Sequence, residues 1–79
     1  GNKNNTKIKK EGYEMTTGQI IKQKREEKKE TQQQLADALG VHFSMIGQVE
    51  RGTKGISLGL ANEIAKHFGC EIKDLIPKS

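Results

Sequence analysis

Apolar residues recur at helical spacing in the middle of the chain. Between residues 32 and 51 they fall on one face of each of two short helices: Leu35, Ala36 and Leu39 in the first, Ile46 and Val49 in the second. Gly40 lies between the two runs and suits the left-handed residue that ends a helix. Ala36 suits the crossing point, because a larger side chain would push the two helices apart. This stretch is therefore predicted to form a helix-turn-helix.

Threonine residues mark the starts of two helices. Thr16 with Gln19, and Thr31 with Gln34, have the spacing of a capping box, in which each side chain bonds a backbone N–H of the other residue. The first helix of the chain is therefore expected over about residues 17–28. The first helix of the central pair is expected to begin after Thr31.

Two more helices are predicted toward the carboxyl end. Ser57 suits the N-cap of a helix with apolar residues at helical spacing, namely Leu58, Ala61, Ile64, Ala65 and Phe68. A last short helix over residues 71–76 should end before Pro77. Three of its residues are too apolar for an exposed face and are expected to pair partly with a second chain: Ile72, Leu75 and Ile76. The predicted fold class is all-α, a compact five-helix domain over residues 17–76 with a tail at 77–79.

The composition narrows the class of protein. The 79 residues include 32% apolar residues and carry a net charge of +4, which favours a polyanionic partner. One cysteine, and no Cys/His cluster at metal-ligand spacing, indicate a reducing compartment and no metal site. No apolar run approaches the roughly 18 residues of a membrane span, and no carboxylate pair or nucleophile with a base suggests catalysis. The sequence predicts a cytoplasmic protein that is not an enzyme, has no cofactor and does not enter a membrane.

Residues 1–16 are predicted to form a flexible basic arm. Residues 1–14 contain four lysines, two glutamates and one isoleucine, without a period that would hold a helix or strand in place. Two interpretations are open. The segment is either a solvated tail, in part a cloning remnant that ends before Met15, or an arm that follows a phosphate backbone.

Six motifs share the spacing of a known family: Thr31-Gln32-Gln33-Gln34-Leu35-Ala36, Gly40-Val41, Ile46-Gly47-Gln48-Val49-Glu50-Arg51-Gly52, Ser57-Leu58, Ile64-Ala65-Lys66 and Phe68-Gly69-Cys70-Glu71-Ile72-Lys73-Asp74-Leu75. They resemble the Cro and phage-repressor-like helix-turn-helix family, also called the xenobiotic response element family. The resemblance implies a lambda-repressor-like fold with a recognition helix at about 43–51 in the DNA major groove. The sequence departs from the family near Lys24, Lys28 and Glu30, where members usually carry leucine.

The resemblance also implies which residues contact bases and which form an ion pair. In the family, the positions of Phe43, Ser44 and Gln48 face base edges and that of Met45 lies beside them, so base contacts are expected from all four residues. For Phe43 the alternative is burial as a core residue against the preceding helix. Arg25 and Glu50 occupy the positions of an arginine and a glutamate that pair in the family, whereas the alternative is a solvated Arg25.

Phosphate contacts are expected around the recognition helix. The residues concerned lie at the start of the preceding helix, in the turn, at the end of the recognition helix and in the glycine-containing loop after it: Gln32, Gln33, His42, Arg51, Thr53 and Lys54. For Arg51 the alternative is a contact with Glu50. The N–H groups and positive dipole end of the preceding helix favour an anion there. The alternative for Gln32 and Gln33 is an ordinary polar surface position.

These features favour a transcriptional regulator, acting as a repressor, that binds double-stranded DNA sequence-specifically as a homodimer through its carboxyl-terminal helix. A palindromic operator would follow. Its half-sites should be A·T-rich, because the base-facing positions lack Arg and Lys, the usual readers of guanine, while Gln48 matches adenine and Phe43 a thymine methyl. An antitoxin of a toxin–antitoxin pair with the same fold is the alternative function. RNA binding is less favoured, because stacking aromatic residues are few.

Overall fold

The computed structural model describes residues 15–77. Four α-helices and one 3-10 helix follow in order: α1 Thr17–Glu27, α2 Gln32–Leu39, α3 Phe43–Arg51, α4 Leu58–Phe68 and the 3-10 helix Ile72–Leu75. No strand occurs between residues 15 and 77, and the all-α prediction is confirmed. Of the predicted arm at 1–16, residues 1–14 lie outside the described part of the chain, as do residues 78 and 79 of the predicted tail.

The fifth predicted helix is not an α-helix, so the five-helix count is corrected to four plus a 3-10 helix of four residues. The carboxylate of Asp74 accepts the backbone N–H of Glu71 at 2.9 Å, which closes the single turn on itself. Ile76 has an extended backbone, with φ −103° and ψ 130°. The residue before a proline is pushed out of the helical region by the ring of that proline, and Pro77 therefore ends the element.

Hydroxyl groups cap the helix starts at the positions predicted from the sequence. The Thr16 hydroxyl accepts the N–H of Gln19 at 3.1 Å, and the Gln19 side chain accepts the N–H of Thr16 at 2.8 Å. Thr31 and Gln34 form the same reciprocal pair, at 3.0 and 2.8 Å. Each capping box satisfies two backbone donors that the first turn of a helix leaves unpaired.

All four α-helices end in a left-handed residue, which is glycine after α2, α3 and α4: Gly40, Gly52 and Gly69. After α1 it is Lys29, with a φ of +57°. The N–H groups of Lys29 and Glu30 bond the carbonyls of Glu26 and Arg25 at 2.9 and 3.0 Å. These are the two bonds of a Schellman motif. A residue with a Cβ is therefore held in a conformation that glycine adopts without cost.

The core lies where the inner faces of the helices meet. Its buried apolar residues come from all five elements: Ile21, Leu35, Ala36, Ile46, Val49, Ala61, Ile64, Ala65 and Leu75. α3 packs against both α1 and α2, and α4 packs against α2 and the 3-10 helix. Leu75 is expected from the sequence to share with Ile72 and Ile76 an apolar surface that pairs partly with a second chain. For Leu75 this expectation is wrong, because the residue is 1% exposed and packs in the core, where it holds the 3-10 helix. Ile72 is half-buried, and Ile76 remains exposed.

α1 and α3 approach each other closely at Gly18. A Cβ at this position would collide with the carbonyl oxygen of Val49 and would lie 2.8 Å from that of Glu50. Both are backbone atoms and cannot move aside as a flexible side chain can. Gly18 thus sets how closely the two helices approach, a role that the sequence does not reveal.

The guanidinium of Arg25 ties α1 to the end of α3. Its Nε and Nη2 donate to the two carboxylate oxygens of Glu50 at 2.7 and 3.1 Å, a bidentate pair, while Nη1 donates to the carbonyl of Glu30 at 2.7 Å. Both side chains are nearly removed from solvent, with 10% and 3% exposed. The hydrogen bond to Glu50 raises the pKa of Arg25, which keeps the guanidinium charged.

A second polar pair joins Glu30 and His67. The carboxylate of Glu30 lies 2.8 and 3.1 Å from Nε2 of His67, and the two side chains are 12% and 19% exposed. The pair joins the loop after α1 to the last turn of α4. The contact between this loop and α4 is therefore made through a directional hydrogen bond and not by the packing of aliphatic side chains alone.

Replacing Lys29 with glycine is expected to raise the free energy of unfolding by about 0.5 to 1 kcal/mol, because the strain of the left-handed conformation disappears. The larger entropy of the unfolded glycine chain offsets part of this gain. Urea unfolding followed by circular dichroism measures the change. Lys28→Gly is the matched control, since it removes the same charge from a residue with φ −84°. That control should lose up to about 1 kcal/mol. A shift of both variants in the same direction would contradict strain at Lys29.

Replacing Glu50 with alanine is expected to lower the free energy of unfolding by about 3 to 5 kcal/mol, because the Arg25 guanidinium stays buried without its counter-charge. The double variant Arg25→Met/Glu50→Leu should recover most of this loss, since apolar side chains of similar volume replace the whole pair. Thermal unfolding of the three proteins makes the comparison. A double variant no more stable than the single one would refute this account of the pair.

Candidate nucleic-acid interface

One face of α3 is buried and fixes which side chains point outward. Ile46, Val49 and Glu50 are 2%, 4% and 7% exposed, so they hold the helix against α1 and α2. With about 100° of rotation per residue, the opposite side carries Ser44 and Gln48, both exposed. Phe43, at the start of the helix, is 45% exposed and is not a core residue. These three residues are called the outer face of α3 below.

Met45 and Gly47 do not project from the outer face in the same way. Met45 is half-buried and packs against the core cluster. Gly47 is buried, and a Cβ there would lie 3.0 Å from Nη1 of Arg51. The absence of a side chain at Gly47 therefore lets the guanidinium of Arg51 fold back along the helix. Arg51 is exposed, and no ion-pair partner for it occurs among residues 15–77.

His42 caps α3 with its imidazole. Its Nδ1 accepts the backbone N–H of Ser44 at 3.1 Å, and the Ser44 hydroxyl oxygen lies 2.9 Å from the same nitrogen. Histidine is an unusual residue at this position, where Ser, Thr, Asp and Asn are the preferred caps. His42 is exposed at the edge of the outer face, and its contact with Ser44 was not predicted from the sequence.

The start of α2 presents backbone donors beside two glutamine side chains. Thr31 caps the N–H of Gln34, whereas the N–H groups of Gln32 and Gln33 have no acceptor within the described chain. Side-chain Nε2 of Gln32 donates to Oε1 of Glu50 at 2.9 Å, so this side chain points toward α3. The Gln33 side chain is exposed and donates to Asp37 at 2.9 Å.

The loop after α3 carries the remaining expected residues. Gly52 is left-handed, with a φ of +83°, and turns the chain away from the helix axis. The Thr53 N–H and hydroxyl both donate to the carbonyl of Gln48, at 3.0 and 3.1 Å. Lys54 is exposed, and no ion pair involving it occurs within residues 15–77. An exposed positive charge therefore lies in the loop beyond the end of α3, three residues after that of Arg51.

The outer face of α3 is uncharged, and the positive charges of Arg51 and Lys54 lie at the end of the helix and in the loop after it. Carboxylates do not occur on the outer face itself, because Glu50 is turned inward by Arg25 and Gln32. No group of three or more His, Cys, Asp or Glu residues in the described part of the chain could hold a metal ion. None of the helices between residues 15 and 77 is long and apolar enough to cross a membrane.

Comparisons with known proteins agree with this architecture. A solved structure of the restriction-modification controller protein C.AhdI from Aeromonas hydrophila has a TM-score of 0.73 and 31% sequence identity, over 78% of this chain and 94% of that one. The structure of SinR, the master regulator for biofilm formation, in complex with DNA has a TM-score of 0.71 and 28% identity, over 76% of this chain and 97% of that one. The comparison with curated protein sequences found no match.

The family comparison covers the same helices. A family model described as helix-turn-helix matches residues 21–75, which is more than half of the chain. This range includes both helices of the central pair, the loop after them, α4 and the 3-10 helix. The structure has the matching features, because α2 ends at a glycine and α3 has a buried inner face and an exposed outer face. The chain belongs to the Cro and phage-repressor-like helix-turn-helix family.

Proposed function

We propose that the protein is a transcriptional regulator that binds double-stranded DNA sequence-specifically, acts as a repressor in the cytoplasm and has no enzymatic activity. The observation that carries this proposal is the uncharged outer face of α3, followed by the exposed charges of Arg51 and Lys54. A major groove admits a helix of this kind, and phosphates lie on either side of it. SinR, a structural neighbour, was solved in complex with DNA, and C.AhdI is a controller protein.

The outer face of α3 is proposed to contact base edges. The amide of Gln48 donates and accepts at once, which matches N6 and N7 of adenine. Phe43 offers apolar surface to a thymine methyl, and 45% of the residue is accessible for that contact. Met45 is proposed to contribute through the part of its side chain that remains exposed. Arginine and lysine are missing from these positions, so we expect A·T-rich half-sites.

The edge of the surface is proposed to contact phosphates. At the start of α2, the backbone N–H groups of Gln32 and Gln33 supply donors in the field of the helix dipole. Beyond α3, Arg51, Thr53 and Lys54 supply charge and hydrogen bonds. His42 is proposed to contribute from the turn between the helices. Contacts of this kind fix the orientation of a protein on DNA without reading its sequence.

A homodimer formed through the carboxyl-terminal element is proposed to bind a palindromic operator. Two of the large apolar side chains are unusually exposed, Leu58 at 76% and Ile76 at 56%. They line one groove together with Ile56, Ala61 and Ile72. Pairing two copies across this groove would remove the apolar surface from water and relate the two copies of α3 by a two-fold axis.

Selection of bound duplexes from a random DNA pool is expected to yield a two-fold symmetric sequence. Its A·T-rich half-sites should have centres about 34 Å apart, one turn of DNA, so that both copies of α3 reach the same side of the duplex. Replacing thymine by uracil in the selected duplex should weaken binding where Phe43 lies. Half-sites dominated by G·C would contradict the base contacts. A monomeric mass on the selected DNA, at micromolar protein, would contradict the dimer.

Gln48→Ala and Lys54→Ala are expected to affect binding in different ways. The first should cost about 1 to 3 kcal/mol at one A·T position and relax the preference there, because a base contact is lost. The second should weaken all sequences equally and reduce the slope of log K against log salt by about one unit, because one phosphate contact is lost. Titrations of matched and mismatched duplexes at several salt concentrations separate the two effects.

Lys66→Ala is the control for the loss of one positive charge in Lys54→Ala. Lys66 is an exposed lysine on α4, a helix that carries none of the proposed DNA-contacting residues, and its contact is with Glu63 at 3.9 Å. Its replacement should leave the salt slope unchanged. An altered sequence preference in Lys54→Ala, or an equal fall in slope for Lys66→Ala, would show that the phosphate assignment of Lys54 is wrong.

A further inference from the structure

The contact between His42 and Ser44 determines where the protons of both side chains lie. The backbone N–H of Ser44 donates to Nδ1 of His42 at 3.1 Å. A backbone N–H can act as a donor only, so Nδ1 must offer a lone pair and carries no proton. A neutral imidazole then has its proton on Nε2. The cap of α3 thus selects one tautomer of His42.

The same nitrogen constrains the hydroxyl of Ser44. Its oxygen lies 2.9 Å from Nδ1 of His42, within hydrogen-bond distance. Because Nδ1 has no proton to give, the hydroxyl is the donor in this contact, and it shares the single lone pair of Nδ1 with the backbone N–H in a three-centre hydrogen bond. The lone pairs of the oxygen are then what the side chain presents to other molecules. Ser44 is exposed on the outer face of α3, so these lone pairs are accessible.

We propose that His42 is a positioning residue for DNA reading, which holds Ser44 as a hydrogen-bond acceptor and thereby directs it to a base amino group. In the major groove such groups are N6 of adenine and N4 of cytosine. A serine without this constraint contacts either donors or acceptors and discriminates little. The inference rests on the proposed function, since it concerns which bases the outer face of α3 selects.

The proposal also gives His42 two separate roles on its two nitrogens. Nδ1 caps the helix and orients Ser44, while Nε2–H remains a donor that suits a phosphate oxygen. Rotating the Ser44 hydroxyl toward an acceptor such as thymine O4 or guanine O6 would break its bond to Nδ1. With an acceptor base, the hydroxyl therefore either gives up its internal hydrogen bond in order to donate, or keeps that bond and makes no hydrogen bond to the base.

The first test uses the protein without DNA. Nitrogen-15 NMR of the His42 ring at neutral pH distinguishes a protonated from an unprotonated Nδ1. We expect an unprotonated Nδ1 and a proton on Nε2. Replacing Ser44 by alanine removes the hydroxyl but keeps the backbone N–H, so the tautomer should persist. A proton on Nδ1 in the unaltered protein would overturn the proposal whatever the DNA experiments gave.

The second test uses the operator obtained by selection. Purine in place of adenine, or 2-pyrimidinone in place of cytosine, removes the amino group from a base while keeping its ring. At the base read by Ser44, this change should weaken binding of the unaltered protein roughly 2- to 10-fold, the size of one neutral hydrogen bond. The Ser44→Ala variant should bind the operator that contains the analogue as tightly as the operator that retains the amino group. A Ser44-dependent preference for thymine or guanine would overturn the proposal.

Variants of His42 separate positioning from helix capping. Glycine is tolerated at an N-cap at a cost of only a few tenths of a kcal/mol, equivalent to less than about a twofold change, yet it offers Ser44 no acceptor. His42→Gly should therefore admit thymine and guanine at the position read by Ser44. Asparagine keeps an acceptor oxygen at the N-cap, and His42→Asn should restore the preference for adenine or cytosine.

The outcomes distinguish this inference from the function on which it rests. If no sequence is selected from the random pool, the proposed function fails and this inference fails with it. If a sequence is selected but His42→Gly and His42→Asn both retain the preference of the unaltered protein, the inference alone is overturned. A broadened preference in His42→Gly that His42→Asn reverses supports it, because a merely structural cap would leave the identity of the selected base unchanged.

Discussion

The buried pair of Arg25 and Glu50 is the interaction on which the arrangement of the helices depends. Glu50 receives two hydrogen bonds from Arg25 on α1 and one from Gln32 on α2, so a single carboxylate is shared by three helices. A buried ion pair contributes little net stability, because desolvation offsets much of the attraction. Its directional bonds define how α3 is rotated about its axis. With Glu50 fixed inward, Gln48 points outward.

This rotation explains why the proposed base-reading surface is neutral. A carboxylate on the outer face of α3 would repel DNA phosphates, and the only acidic residue of the helix is the one held inside by Arg25 and Gln32. The positive charges lie at the end of α3 and in the following loop, on Arg51 and Lys54. Charge for attraction and neutral groups for discrimination are thus separated along one helix and its loop, as base and phosphate contacts require.

A small apolar content is sufficient for this fold because hydrogen bonds hold the helix ends and loops that the apolar core does not reach. The chain has 32% apolar residues, and the buried ones form one cluster where the helices meet. Capping boxes and Schellman motifs satisfy the backbone at the helix ends, where an unpaired donor or acceptor would be costly. Glu30 and His67 hold the loop after α1 against α4 at a place where family members usually have leucine.

The sequence alone indicated where the four α-helices begin and end, because capping residues, left-handed glycines and apolar periodicity act over three or four residues. It also predicted a fifth helix at residues 71–76, where the chain forms only a 3-10 helix of four residues. It did not determine contacts between distant residues. Three contacts depend on how whole helices pack: the close approach of α3 that excludes a side chain at Gly18, the burial of Leu75, and the hydrogen bond from Gln32 to Glu50. Resemblance to a family, not periodicity, implied the pairing of Arg25 with Glu50. The contact of His42 with Ser44 and the left-handed conformation of Lys29 are local, but the residue types do not indicate them, because histidine is not a preferred N-cap and a left-handed residue is usually glycine.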